Sequence, residues 1–214
     1  ESKLNNYSSM TLTRDITLSL PEQEGLQISL TGPLSVTDFE HFCAANPDIR
    51  AERSADGKVW IMAPVSLESG YYEGEVFGEL RNYCLRTQNG KAFSPSTGFQ
   101  LPDGSTRAAD ASWVSNKQLS QLTQAERQTF PPIVPDFVIE IRSKPDARSA
   151  LEQKMQETWI ANGVQLAWLI DPQAQQVAVY RPGSAPLVID GFDQTINASP
   201  ILPGFKFDLR LLIF

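Results

Sequence analysis

Residues 134–142 read Val-Pro-Asp-Phe-Val-Ile-Glu-Ile-Arg, an apolar run interrupted by one carboxylate, Glu140. Val138, Ile139 and Ile141 are β-branched and suit the pleated surface of a sheet. Side chains alternate between strand faces. Pro135, Phe137, Ile139 and Ile141 therefore form one wholly apolar face, while Asp136, Val138, Glu140 and Arg142 share the other. A buried charge is costly unless it is paired or holds a metal. Glu140 is thus either half of a structural ion pair, with Arg142 or Lys154, or part of a chemical site.

The rest of the chain bounds that choice. Its 214 residues suffice for one sizeable core, and 41% hydrophobic with 20% charged residues is ordinary for a globular protein. No stretch has the length of a membrane-spanning helix. The first residues, Glu-Ser-Lys-Leu-Asn-Asn-Tyr, lack the apolar core of a signal peptide. Cys43 and Cys84 both fall in helical patterns and read as buried thiols of a cytoplasmic protein, with a disulfide as the alternative. The single histidine, His41, excludes a multi-histidine zinc site, and a serine triad would have to use it although it lies in a helix pattern with no nucleophile motif nearby. Acid–base chemistry must then run on carboxylates, lysines or a bound metal. A net charge of −7 argues against a globally basic nucleic-acid coat. The charge is uneven, however, for residues 81–148 hold nine Lys/Arg against six Asp/Glu.

Working outward, residues 1–32 read as an N-terminal arm with one or two strands, and 33–214 as a single domain. Ser35-Val-Thr-Asp38 opens a helix to about Ala45. Asp56-Gly57 joins two strands, Ile49–Ser54 and Lys58–Met62. A longer helix spans about Ser69 to Thr87, with Val76, Leu80, Tyr83 and Cys84 as its stripe and Asn89-Gly90 as its cap. Ala108–Val114 is a strand, and Lys117–Gln128 gives short helices with a second capping box at Thr123–Glu126. Arg148–Asn162 is a helix closed by Gly163. Gln165–Ile170 and Gln176–Tyr180 form a hairpin around Asp171-Pro172. The alternation of strands and helices predicts a mixed α/β fold.

Three residues combine into a candidate site. Asp110 and Glu140 lie on two predicted strands, and Lys154 lies at the margin of the buried stripe of the next helix. Two neighbouring carboxylates repel, and a hard divalent cation such as Mg²⁺ or Mn²⁺ relieves the repulsion through oxygen ligands. A nearby lysine can then hold a phosphate oxygen. Such a set is equipped for metal-assisted phosphodiester hydrolysis. The plain alternatives are a turn residue for Asp110, an ion pair for Glu140 and a solvated Lys154.

At these residues the chain resembles the Uma-two family of endonucleases, within the restriction-endonuclease-like, PD-(D/E)XK superfamily. The resemblance spans roughly residues 33–213. It rests on Ser96-Thr-Gly-Phe-Gln-Leu-Pro102, Arg107-Ala-Ala-Asp-Ala-Ser-Trp-Val114, Pro135-Asp-Phe-Val-Ile-Glu-Ile-Arg-Ser143, Lys154–Gly163, Trp168-Leu-Ile-Asp-Pro172 and Leu202-Pro-Gly-Phe205. It implies a central mixed sheet flanked by helices, and a Mg²⁺-dependent site that cuts DNA, in an assembly that is often a homodimer. Asp110 matches the first acidic position and Glu140 the second, with the Ile141 carbonyl completing the metal set. The superfamily lysine, two residues after the second acid, is Arg142 here. Lys154 is then the migrated lysine, and Arg142 either a phosphate-facing helper or an ion-pair partner. Ala109 replaces the usual proline. An acid on the preceding long helix, Glu73 or, in preference, Glu75, completes the set. A silent nuclease-fold module that binds nucleic acid or serves assembly is the competing expectation.

Overall fold

The computed structural model describes residues 32–214. The expected N-terminal arm lies outside the described residues, apart from its last position.

The strand at Glu140 is β7, Phe137–Ile141, an interior strand of a six-stranded sheet. With β3 (Gly90–Phe93), β6 (Ala111–Ser115), β8 (Leu166–Asp171), β9 (Gln176–Tyr180) and β10 (Leu187–Asp190), the order is β10-β9-β8-β7-β6-β3. Only β7 and β8 run parallel within it. A parallel pair needs a crossover. Here it is helix α4, Arg148–Gln153, continued by a π-helical stretch, Lys154–Ile160.

The alternation in β7 sorts the molecule into layers. Phe137, Ile139 and Ile141 join Trp168 and Ile170 of β8 on one face. Covering them is α2, Leu67–Thr87, through Val76, Leu80 and Tyr83, together with Phe205, Phe207 and Leu209 near the C-terminus. Val138, Ala167, Leu169 and Ala178 face the other way, against Met155, Trp159 and Ile160 of the π stretch. The small residues on this second face leave room for large side chains from the crossover, as close packing requires.

A second sheet has the order β2-β1-β5-β4, from β1 (Arg50–Arg53), β2 (Val59–Met62), β4 (Phe99–Gln100) and β5 (Thr106–Arg107). Strands β11 (Thr195–Asn197) and β12 (Lys206–Asp208) form a small third sheet. Helix α1, Val36–Ala45, starts where Ser35 Oγ accepts from the Asp38 N–H, at 3.1 Å. The short α3, Asn116–Leu119, follows β6. Thr123 and Glu126 exchange backbone and side-chain hydrogen bonds as a capping box. No described helix is long and apolar enough to cross a membrane.

Three local expectations change. Helix α2 closes on Gln88, with φ 51°, not on Asn89-Gly90. Gly90 instead begins β3, where a Cβ would strike the Val114 carbonyl and the Trp113 ring. The strand expected from Ala108 begins at Ala111, so Asp110 stands in the bend just before β6. Beyond Gln153 the crossover helix is π, not α.

Phe137 is fully buried, with its ring 4.8 Å from that of Trp168. Phe137→Ala should cost about 3–5 kcal/mol. A urea titration checks this. The midpoint should fall while the slope m stays constant.

Candidate active site

Residue pairing between β6 and β7 fixes the centre of the site. Ala111 lies opposite Ile139. Continued one step, that register sets Asp110 against Glu140. The Ile141 N–H donates to Asp110 Oδ2 at 2.7 Å, which ties the bend to the end of β7.

Glu140 is 5% exposed. Its Oε1 accepts the Trp159 indole N–H at 2.7 Å and pairs with Lys154 Nζ at 2.9 Å. Both donors come from the π stretch. In an α-helix, residues five apart point about 140° away from each other. Here the Ala161 N–H donates to the Gln156 carbonyl and the Val164 N–H to the Trp159 carbonyl, both i to i+5. The wider turn brings Lys154 and Trp159 to one oxygen, with Lys154 Nζ 5.9 Å from the Trp159 ring. A π turn at such a place is a common mark of functional sites.

Glu52 of β1 joins the site from the second sheet. It is 6% exposed, pairs with Arg107 at 3.0 Å and Lys154 at 3.5 Å, and accepts the Ala108 N–H at 3.2 Å. Lys154 therefore lies between two carboxylates from two sheets. Burial alone would raise the Glu52 carboxyl, but Lys154 and Arg107 outweigh it and hold the group below its ordinary value. Burial works against the Lys154 ammonium, yet Glu140 and Glu52 push its pKa above the usual lysine range.

Asp110 and Glu140 fare differently. Burial, joined by the charge of Glu73, raises Asp110 to about 6. Burial, joined by Asp110 and Glu52, raises Glu140 to about 7 despite Lys154. Glu73 is itself raised by burial, with Arg50 opposing and Glu140 reinforcing the shift. The cluster holds four carboxylates, Glu52, Glu73, Asp110 and Glu140, against Arg50, Arg107 and Lys154.

The donor set suits a hard cation. Asp110 uses Oδ2 and Glu140 uses Oε1 for protein donors, so among the described residues Asp110 Oδ1 and Glu140 Oε2 have no hydrogen-bond partner. Two open carboxylate oxygens with unrelieved repulsion match Mg²⁺ or Mn²⁺, which retain several waters. Among the described residues no group of three or more His, Cys, Asp and Glu side chains is placed to share one ion. Any such ion would be held by these two acids, with a backbone carbonyl such as that of Ile141 and water completing the shell.

Two sequence expectations need correction. Helix α2 turns Glu73, not Glu75, toward Asp110 and Glu140. Glu73 precedes Val76 by three and Leu80 by seven, which puts it on the buried stripe. Glu75 falls off that stripe, beside Glu79, which accepts from Asn82. Arg142 is also not brought to the acids. It pairs with Asp171 at 2.9 Å and donates to the Asp146 carbonyl at 3.1 Å, leaving it as an ion-pair partner. Glu52, Trp159, Arg50 and Arg107 were not anticipated. Glu52 gave no signal, because it alternates with charged residues in a short hairpin.

Comparison with known proteins agrees with the fold. Residues 36–210 match the model of the family Uma2, described as "Putative restriction endonuclease". Five solved chains match. One is a crystal structure from Anabaena variabilis ATCC 29413, described as "a putative nuclease belonging to DUF820". It is 20% identical with a TM-score of 0.67, over 84% of this chain and 97% of that one. No curated protein matches.

The raised acids make a pH-dependent prediction. Folded Asp110 and Glu140 keep protons that the unfolded chain, with ordinary carboxyls, has already lost between about pH 4 and pH 7. They oppose folding above that window, and the opposition fades as the pH falls through it. Asp110→Asn should therefore raise the metal-free Tm at pH 8 and lose this advantage near pH 4. Thermal melts at both pH values test it, and an equal effect at both would refute the repulsion.

Proposed function

The chain belongs to the Uma2 family, and we propose that it is a metal-dependent nuclease that hydrolyses phosphodiester bonds of DNA at the Asp110–Glu140 pair. The observation that supports this most is the pair of open oxygens, Asp110 Oδ1 and Glu140 Oε2, on a half-buried and a buried acid of raised pKa. Asp110, Glu140 and the Ile141 carbonyl would hold Mg²⁺ or Mn²⁺. The bound ion would supply a Lewis acid and a water of lowered pKa.

The chain's own groups divide the remaining work. Lys154 stays protonated at any working pH, so it is not a general base. It offers a fixed positive charge to the pentacovalent phosphate, where a preorganised charge acts more strongly than in water. Glu52 anchors that ammonium from the second sheet. Trp159 fixes one Glu140 oxygen so that the other stays directed outward, as partners of metal ligands commonly do. Glu73 adds negative charge beside the pair and takes the place expected of Glu75. Arg142, engaged with Asp171, supports the end of β7 and takes no chemical role.

Cleavage of plasmid and single-stranded DNA with and without Mg²⁺ tests the reading. Wild type should cut only with metal, and Glu140→Ala and Lys154→Ala should lose at least about a hundredfold in rate. Arg142→Ala should retain activity. Equal cleavage by wild type and Glu140→Ala would refute the site, and a wild type that binds nucleic acid but never cuts would identify a silent binding module. For Trp159→Phe, which removes one donor and keeps a ring, calorimetry should show Mn²⁺ affinity weakened about 10–100-fold. An unchanged affinity would reduce Trp159 to packing.

A further inference from the structure

A second feature on the same sheet face is not used by this chemistry. The sheet ends at β3, where Lys91 lies opposite Val114 and Phe93 opposite Ser112. Val114 packs in the same cluster as Val138, so Lys91 and Phe93 face the Glu140 side. There they border a cavity of about 490 Å³, roofed by α3 and the segment that follows it. That volume lies within the range of small-molecule sites, about 300–1,000 Å³.

The lining has a definite chemistry. Its interior is apolar, formed by Phe93, Phe99, Leu119, Leu122 and Ile133. The Phe93 and Phe99 rings meet edge to face at 86°, with centroids 5.8 Å apart. Hydroxyls of Thr97, Ser120 and Thr129 supply polar contacts. Among the described residues the charged lining groups are Lys91 and Arg127, with no acid beside them, in a chain of net charge −7. Arg127 donates to the Leu119 and Leu122 carbonyls at 3.2 and 3.0 Å, which fixes the wall and its charge. Lys91 makes no ion pair among the described residues.

We propose that this cavity binds an amphipathic organic anion, a flat apolar body carrying one carboxylate, sulfonate or phosphate. The body replaces water against the phenylalanine and leucine side chains, and the anion meets the Lys91 ammonium. The site is separate from the carboxylate cluster. Val114 lies three residues along β6 from Ala111, about 10 Å, and Asp110 stands one residue further, in the bend before the strand. The same chemistry has two sources, a free aliphatic or aromatic acid and a nucleotide of a bound strand.

The test uses the full chain without metal, so it does not depend on the nuclease reading. 1-Anilinonaphthalene-8-sulfonate should bind wild type one to one, followed by its fluorescence. Lys91→Glu should weaken binding at least about tenfold, because a charge-assisted contact becomes a repulsion. Ser120→Trp, at an exposed lining position, should fill the mouth and weaken it as much, with both variants melting near the wild-type temperature. Displacement by decanoate marks a free acid as the source. Displacement by deoxyadenosine monophosphate marks a strand nucleotide, and either supports the assignment. Absence of saturable binding to wild type, equal affinity in all three proteins, or displacement by decanol as effective as by decanoate would overturn it.

Discussion

The Lys154–Glu140 ion pair, at 2.9 Å and with Glu140 almost wholly buried, is the contact on which the site's arrangement depends. Removing two charges from water is expensive, and an isolated pair does not repay the cost. Here neither partner is isolated. Glu140 gains the Trp159 N–H, and Lys154 gains Glu52, which in turn takes Arg107 and the Ala108 N–H. The chain of contacts runs from the crossover helix through β7 to the second sheet. The ion pair thereby couples the two sheets through charge, and it fixes where the acids sit.

That network constrains the backbone as well. The parallel β7–β8 pair demands a crossover that packs on the Val138–Leu169 face. A regular α-helix could send either Lys154 or Trp159 to Glu140, with the other turned away by more than a right angle. The π stretch satisfies both while still burying Met155 and Ile160. Its hydrogen bonds are less favourable than those of an α-helix, a local cost of the kind that surrounding structure sustains at functional sites.

Legibility in the sequence followed the strength of the periodic signal. β7 was readable because a period of two over Phe137–Ile141 admits one sheet face, and the same pattern exposed Glu140 as an anomaly. Helix α2 was readable from Val76, Leu80 and Tyr83, and that stripe, extended back by seven from Leu80, also marks Glu73. The crossover helix was readable as a helix but not as π, since its apolar spacing at Met155 and Trp159 fits both. Glu52 and the Glu52–Lys154 contact were not readable, because 102 residues separate the partners and β1 carries no apolar alternation. Arg142 was ambiguous for a physical reason. As the residue after β7 its direction is set by Asp171 of β8 and by the Asp146 turn, which only the fold brings together.

The charge of the whole chain bears on the proposed chemistry less than the charge of the cluster does. A net charge of −7 opposes approach of a polyanion at long range, but screening limits that opposition to about 8–10 Å at physiological salt. Within the cluster, four carboxylates face Arg50, Arg107 and Lys154, an excess of one negative charge when all are ionised. A phosphate is therefore repelled by the bare site. A single divalent cation reverses the sign of that sum, so under the proposed reading cation and phosphate favour each other's binding through the same four acids. The raised pKa values of Asp110 and Glu140 come first from burial and then from the neighbouring acids, and protons can relieve there what a metal would. An acidic chain can thus serve a polyanionic substrate, provided its cations are concentrated among the acids of the site and fall short of them by less than the charge of one divalent ion.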